Sequence, residues 1–328
     1  MSPLGRPKGE YRSAKHEGTP VTDTSPPPQE ILLVAADGYR LAAQVYHATG
    51  PLRGKIVVGG ATAVPQRFYR RFAQYAARQG HTTLTLDYRG IGGSRPASLR
   101  GFQMDYLDWA RLDLAAAVET AAALDDAAAP LFMVGHSFGG HAFGLLPNHE
   151  KVARFYTFAT GAGWHGWMPP LERLRVLAMW RLMGPLLTRW KGYLPWSLLG
   201  MGEDLPLDVY RQWRHWCRYP RYFFDDPAMA PLAACFARVR TPIVAANALD
   251  DRWAPPRSRD AFMAAYSSAG WRAVDIDPRH AGLGAIGHMG YFRPAARPLW
   301  QGVLDWFAQP LASSDPNPRS SHAPHALA

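Results

Sequence analysis

Short apolar runs and amphipathic helical stretches alternate along most of this 328-residue chain. The runs predicted to form strands are KIVVGGA, which has the pattern of a buried strand, and HTTLTLD, PLFMVG, TPIVAANALD and WRAVDID. Between them, apolar residues recur at helical spacing, which predicts helices that end near Gly80, cover about 106–124 and 257–269, and include Trp300 to Phe307. Strands that alternate with helices are joined by right-handed crossovers. The chain is therefore expected to form an α/β fold around a mostly parallel, doubly wound sheet.

Two segments depart from this alternation. ILLVAADGYRLAAQVYHA places Asp-Gly between two alternating apolar runs, which is the signal for a β-hairpin. Between Trp164 and Phe236 the strand pattern gives way to a tryptophan-rich stretch of helical character. We therefore predict a core made of residues 30–163 and 237–310, with a helical cap inserted at 164–236. Residues 1–29 and 311–328 lack apolar periodicity and are predicted to be flexible tails.

Composition favours a folded globular protein, because 48% of the residues are hydrophobic and 19% are charged. The net charge of +10 raises the question of an anionic partner, but the arginines are interleaved with acidic residues. We therefore favour a solvated basic surface over contact with a membrane surface, and no nucleic-acid partner is expected. Cys217 and Cys235 are too few for a disulfide framework, and no secretory signal is recognisable. A cytoplasmic location is expected.

The stretch GHSFG, from Gly135 to Gly139, has the form Gly-x-Ser-x-Gly and lies where a predicted strand passes into a predicted helix. In such a turn a strained backbone lifts the serine hydroxyl clear of the sheet, and the flanking glycines avoid a clash. Ser137 is therefore a candidate nucleophile. Because a serine hydroxyl is a poor nucleophile at neutral pH, it needs a base within reach and an acid that orients the base.

Two aspartates and two histidines supply candidates in the chain order serine, carboxylate, histidine. Asp250 and Asp251 follow the run TPIVAANAL, where a parallel sheet presents its loops to a ligand. We prefer Asp251 as the acid and keep Asp250 as the alternative; a helix cap or a turn also explains either residue. His280 and His288 follow the last predicted strand. We prefer His288, in a glycine-flanked loop, as the base, and interpret His280 as a solvated loop residue.

Acyl transfer also needs hydrogen-bond donors for the developing oxyanion. The backbone N–H of Phe138 is one candidate, because it follows the nucleophile at a helix N-terminus. The second donor is expected in the stretch GGATAVPQ, from Ala61 or alternatively from Thr62. Three further histidines are interpreted as structural; they are His136, His141 and His165.

Four segments, LDYRGIGGSRP, VGHSFGG, ALDDRWAP and IGHMGYF, resemble in order the landmarks of the α/β-hydrolase superfamily over residues 30–310. More narrowly, GYLPWSLLGMGEDLP and WCRYPRYF are similar to a group of bacterial hydrolases near the monoacylglycerol-lipase and serine-aminopeptidase-like branch. The resemblance implies an α/β-hydrolase fold with Ser137 as nucleophile, Asp251 as acid and His288 as base. It also implies that the insertion caps the active site.

These residues predict a serine hydrolase that cleaves a carboxylic ester through an acyl-enzyme. An acyltransferase, an amidase or peptidase, and a non-catalytic ligand-binding protein remain alternatives. The expected partner is a small ester with an apolar acyl or aromatic group, because the tryptophan-rich cap favours an apolar pocket. Any single tryptophan is, however, better explained as part of the cap's own core. Arg173 and Arg175 are interpreted as solvated, with contact to a substrate carboxylate as the alternative. No metal or organic cofactor is expected, and the oligomeric state stays open.

Overall fold

A computed structural model describes residues 26–279 and 282–310 of the chain, and this part contains a single eight-stranded sheet. The strands are Gln29–Val34 (β1), Arg40–Tyr46 (β2), Gly54–Gly59 (β3), His81–Leu86 (β4), Leu131–His136 (β5), Val152–Phe158 (β6), Ile243–Ala248 (β7) and Trp271–Ile276 (β8). The α-helices are Arg70–Arg78 (α1), Ala115–Ala123 (α2), Phe138–Ala142 (α3), Pro170–Ala178 (α4), Gly184–Lys191 (α5), Leu207–Trp216 (α6), Ala230–Arg238 (α7), Pro256–Met263 (α8) and Arg297–Phe307 (α9).

The strands lie in the order β1-β2-β4-β3-β5-β6-β7-β8. β1 and β2 form the predicted hairpin, and β2 also pairs antiparallel with β4, whereas every pairing from β4 to β8 is parallel. Each parallel pairing therefore needs a crossover, which the helices provide. The predicted α/β fold with a mostly parallel sheet is confirmed.

The central strands are buried on both faces. In β3 and β5, Val57 and Met133 belong to one apolar cluster, whereas Ile56 and Val134 belong to a second. Successive side chains of a strand point to opposite faces, so the two clusters lie on the two sides of the sheet. This arrangement explains why these strands read as continuous apolar runs rather than as alternating ones.

Several element boundaries differ from the sequence prediction. The helix expected over about 106–124 is a π-helical turn, Trp109–Leu114, followed by α2. α8 ends at Met263, six residues before the predicted end at 269. α1, in contrast, ends at Arg78, close to the predicted end near Gly80, where the chain turns with φ of 85°, a conformation that glycine adopts without strain.

Residues 164–236, called the helical insertion below, lie between β6 and β7 and contain α4, α5, α6 and most of α7. Leu194 and Leu205 form a short antiparallel bridge within it. Among the described residues, no helix is both long enough and apolar enough to cross a membrane. The two predicted tails lie mostly outside the described residues, which omit 1–25 and 311–328. β1 begins at Gln29, the last residue of the predicted N-terminal tail.

Candidate active site

Ser137 occupies a sharp turn between β5 and α3. Its φ of 51° and ψ of −107° are strained for a residue that carries a Cβ. Two backbone hydrogen bonds hold the turn: the Ser137 N–H donates to Phe158 O at 2.9 Å, and the Gly139 N–H donates to Gly60 O at 3.0 Å. The serine is therefore fixed between the carboxyl ends of β3 and β6.

The glycine two residues after Ser137 allows this close approach. A Cβ at Gly139 would lie 2.0 Å from the carbonyl oxygen of Gly59, which belongs to the neighbouring strand β3. A Cβ at Gly135 would lie 2.8 Å from the carbonyl carbon of Gly139. Real side chains do not occupy such space without moving the backbone, so the steric reason predicted for both glycines is confirmed.

The structure brings Ser137, His288 and Asp251 together from three strand ends. Nε2 of His288 lies 3.1 Å from Oγ of Ser137, and Nδ1 of His288 lies 2.9 Å from Oδ2 and 3.2 Å from Oδ1 of Asp251. An imidazole that contacts a hydroxyl through one nitrogen and a carboxylate through the other is the arrangement that activates serine for attack on a carbonyl.

The surroundings of Asp251 fix its charge and the tautomer of the histidine. Asp251 is 1% exposed, and its Oδ1 also accepts the N–H groups of Trp253 at 2.9 Å and Ala254 at 3.0 Å. Burial raises the pKa of Asp251, but the attraction of His288 and these hydrogen bonds outweigh it and hold the pKa below its usual value. A charged carboxylate can only accept a hydrogen bond, so Nδ1 of His288 carries the hydrogen that points at Asp251, and Nε2 faces Ser137 as an acceptor.

Asp250, the alternative acid, has a different position. Its two carboxylate oxygens accept the backbone N–H of Ile286 at 2.9 Å and that of Gly287 at 3.0 Å. The two neighbouring aspartates thus hold different parts of one loop: Asp250 contacts the backbone before His288, and Asp251 contacts its ring. His280, the alternative base, lies outside the described residues.

A buried chain of hydrogen bonds runs behind the serine. The N–H of Ala61 donates to Oη of Tyr69 at 2.7 Å, and Oη lies 2.9 Å from Nδ1 of His136. Nε2 of His136 lies 2.9 Å from the carbonyl oxygen of His288. Because that carbonyl only accepts, Nε2 donates to it, and the Tyr69 hydroxyl donates to Nδ1. Burial lowers the pKa of His136 to about 3, so the ring is neutral. His136 is structural, as predicted, and it also holds the backbone of the candidate base.

This chain of hydrogen bonds changes the interpretation of the oxyanion donors. The N–H of Ala61, predicted as the second donor, is engaged by Tyr69 and does not stand free in this structure. Within residues 26–279 and 282–310, neither the N–H of Phe138 nor that of Thr62 has an acceptor. The expected first donor and the expected alternative to Ala61 therefore remain available to a ligand.

A cavity of about 500 Å³ opens beside Ser137 and His288. Its lining is mostly apolar and includes side chains of the helical insertion; among these residues are Ala61, Thr62, Val64, Phe68, His141, Trp196, Met201, Trp213 and Trp253. No Asp, Glu, Lys or Arg of the described residues lines it. The volume lies within the range of small-molecule sites.

Other residues singled out in the sequence lie elsewhere. Arg173 and Arg175 are exposed and do not line the cavity. His141 lines it and is buried, its Nε2 lies 2.8 Å from Gly161 O, and burial lowers its pKa to about 4. Burial also raises the pKa of the Cys217 thiol, consistent with a structural cysteine. Tyr69 was not identified from the sequence, because no local pattern distinguishes a tyrosine whose hydroxyl bonds to site residues from one that only packs in the core.

Comparisons with known proteins bear on the fold of the chain. Residues 55–208 match the model of a family described as serine aminopeptidase S33. No curated protein sequence matches the chain significantly. Among solved structures, the chain is similar to a soluble variant of monoglyceride lipase from Saccharomyces cerevisiae in complex with a substrate analogue. The TM-score is 0.63 at 16% identity, over 88% of this chain and 97% of the lipase.

Two further structures show the same fold. DcsB in complex with its substrate analogue gives a TM-score of 0.61 at 15% identity, over 88% of this chain and all of DcsB (100%). The α/β hydrolase GrgF from Penicillium sp. sh18 gives 0.59 at 15% identity, over 87% of this chain and 99% of GrgF. With the sheet order and the turn at Ser137, these likenesses identify the fold. The chain therefore has the α/β-hydrolase fold, and residues 55–208 within it match the serine aminopeptidase S33 family model.

Proposed function

We propose that this protein is a serine esterase that cleaves carboxylic esters through an acyl-enzyme on Ser137. The observation that carries the proposal is the pair of contacts made by His288, to Ser137 Oγ at 3.1 Å and to Asp251 Oδ2 at 2.9 Å. These contacts lie beside an apolar cavity, so an ester bound there has its carbonyl within reach of the serine.

In the first half of the reaction, Oγ of Ser137 attacks the ester carbonyl while Nε2 of His288 takes the hydroxyl proton. The tetrahedral intermediate then collapses, its bond to the alcohol oxygen breaks, and His288 returns the proton to that oxygen. In the second half, His288 removes a proton from water, which attacks the carbonyl carbon of the acyl-enzyme. The bond from that carbon to Oγ of Ser137 then breaks, His288 returns the proton to Oγ, and the acid leaves. The carboxylate of Asp251 stabilises the imidazolium in both halves.

The oxyanion that forms in each half needs donors at its oxygen. We assign the N–H of Phe138 as one donor, since it is the first amide of α3 and carries the positive end of the helix dipole. We assign the N–H of Thr62 rather than that of Ala61 as the second, because Ala61 already donates to Tyr69. Ala61 contributes instead by fixing the loop that carries Thr62.

The lining of the cavity favours a neutral, apolar acyl group. An aminopeptidase binds the charged amino terminus of a peptide, and such a group needs a carboxylate partner when it is desolvated. The described residues supply no carboxylate to this lining. The similarity to monoglyceride lipase, whose structure holds a substrate analogue, supports the same class of substrate. We further propose that the helical insertion caps the cavity, since Trp196, Met201 and Trp213 line it.

A comparison of substrates tests the proposal. We expect the protein to hydrolyse p-nitrophenyl esters from acetyl to dodecanoyl, with a burst of p-nitrophenol where deacylation is slow, and to leave aminoacyl p-nitroanilides intact. Ser137→Ala should abolish ester cleavage, whereas Ser268→Ala, at an exposed serine, should not change it. Rapid cleavage of the anilides with no cleavage of the esters would contradict the proposal.

A further inference from the structure

The exposed apolar side chains of this protein are concentrated in one short part of the chain. Of the eleven large hydrophobic side chains that are exposed among the described residues, eight lie between Leu171 and Met201. They are Leu171, Leu174, Leu182, Met183, Leu186, Trp190, Leu198 and Met201. Exposed apolar residues scattered singly are ordinary, but a concentration of this kind marks a surface of interaction.

Most of these side chains belong to one helical run. α4, a π-helical turn at Met179–Met183 and α5 follow one another without a break from Pro170 to Lys191. Its inner row, buried at intervals of four residues, consists of Val176, Trp180, Gly184 and Thr188. Its outer row, exposed at the same interval, consists of Leu174, Ala178, Leu182, Leu186 and Trp190.

The two rows are offset by two residues, which places them on opposite sides of the helix. The inner row packs inside the helical insertion, where Trp180 contacts the rings of Tyr210 and Trp213. A surface helix normally has a polar outer face. Here the outer face is also apolar: Leu182 is 60%, Leu186 62% and Trp190 61% exposed. Nothing in the described part of the chain covers it.

The charges along the same run are almost all positive. Its basic residues are Arg173, Arg175, Arg181, Arg189 and Lys191, and its single acidic residue is Glu172. Glu172 has a side chain only 14% exposed, and its Oε1 accepts the indole N–H of Trp253 at 2.9 Å. Oε2 of Glu172 also lies 3.6 Å from Nη1 of Arg175, so that arginine is paired. The outer surface of the run therefore combines an apolar row with positive charge that exceeds the negative charge by four.

We propose that residues 170–191 dock the protein on the surface of an anionic lipid bilayer. An apolar row with flanking arginines lies in the interface plane of a membrane, with the apolar side chains at the acyl boundary and the guanidinium groups among the phosphates. A second copy of the chain fits less well, because a symmetric contact through this face would bring like charges together. Met201, which is 46% exposed and also lines the cavity, extends the exposed apolar surface to the cavity rim.

Vesicle co-sedimentation tests the docking. Every protein in this assay carries Ser137→Ala, so that binding is measured without hydrolysis. We expect binding to phosphatidylcholine vesicles that contain phosphatidylglycerol, little binding to phosphatidylcholine alone, and release at high salt. Leu182→Gln with Leu186→Gln should weaken binding by about tenfold per leucine. Arg181→Gln with Arg189→Gln should weaken it by about fivefold per arginine.

The matched control is Leu32→Gln with Val34→Gln, which removes two exposed apolar side chains, 49% and 63% exposed, from strand β1. This pair should leave vesicle binding unchanged. Absence of binding at low salt, or equal weakening by the control pair, would overturn the proposal. The proposal would also be overturned if light scattering shows a dimer and the leucine double variant loses the dimer but still binds vesicles. The fold of the leucine double variant is checked in protein that keeps the native Ser137. Unchanged hydrolysis of a soluble ester by that variant shows that it is folded.

Discussion

Replacing Asp251 with asparagine should reverse the hydrogen-bond pattern of the candidate base while keeping its shape. Oδ1 of Asp251 accepts two backbone N–H groups, from Trp253 and Ala254, so in the variant the amide oxygen stays at that position. The amide nitrogen then replaces Oδ2, which lies 2.9 Å from Nδ1 of His288. Two donors cannot face each other there, so His288 must carry its proton on Nε2, pointing at Ser137.

A histidine in that tautomer cannot take the serine proton. The corresponding change in a well-characterised serine protease lowers kcat by about 10⁴, or about 5 kcal/mol in the barrier, and we expect a loss of the same order here. The assay is kcat for a p-nitrophenyl ester that the native protein cleaves. Thermal unfolding of the variant shows whether the buried site, in which Asp251 is 1% exposed, remains folded.

Asp250→Asn is the matched control. It replaces one of two acceptors for the N–H groups of Ile286 and Gly287, which loosens the loop but leaves the tautomer of His288 unchanged. We expect a loss of about tenfold, comparable to the cost of one hydrogen bond to a charged group. A folded Asp251→Asn variant within tenfold of native activity, or a larger loss for Asp250→Asn, would refute the reasoning.

Three further predictions concern stability. Tyr69→Phe leaves the buried N–H of Ala61 and Nδ1 of His136 unpaired, and should lower the free energy of unfolding in urea by about 2–4 kcal/mol; a loss below 1 kcal/mol would contradict the chain of hydrogen bonds. Gly139→Ala forces a Cβ against a carbonyl oxygen 2.0 Å away and should prevent soluble expression, whereas Gly302→Ala, at an open position in α9, should raise stability by about 1 kcal/mol; equal expression and stability of the two variants would refute the steric argument. Burial lowers the pKa of three histidines to about 3 or 4, below about 6.5 in the unfolded chain, so only the unfolded state binds protons between these values. Stability should therefore fall as the pH drops from about 6.5 towards 4, by up to about 1.4 kcal/mol per pH unit per histidine, and urea midpoints that do not change over this range would show that the rings are not buried neutral. The histidines are His81, His136 and His141.

The sequence predicts the fold well because the strongest signals are periodic and local. The mostly apolar runs of β3, β5 and β7 are buried along their whole length, so they could be recognised as strands without knowledge of their partner strands. The meeting of Ser137, Asp251 and His288 follows from topology, since the carboxyl ends of parallel strands lie at one edge of the sheet.

Features that depend on packing were not predictable. The helix expected after Ser137 stops at Ala142, because Leu146 adopts an extended conformation before Pro147. At Gly144 a Cβ would meet the ring of Phe236, at 2.4 Å, from a helix more than eighty residues away in the chain. The engagement of the Ala61 amide likewise depends on where the helical packing places a tyrosine hydroxyl, which no local pattern encodes.

Covalent labelling tests the central claim most directly. A fluorophosphonate reacts with a serine hydroxyl only where a base removes its proton, and peptide mass spectrometry then locates the adduct. We expect a single adduct on Ser137 in the native protein, a greatly slowed reaction in His288→Ala, and no adduct in Ser137→Ala. Native protein that stays unlabelled, or that carries its adduct on another serine, would contradict the account.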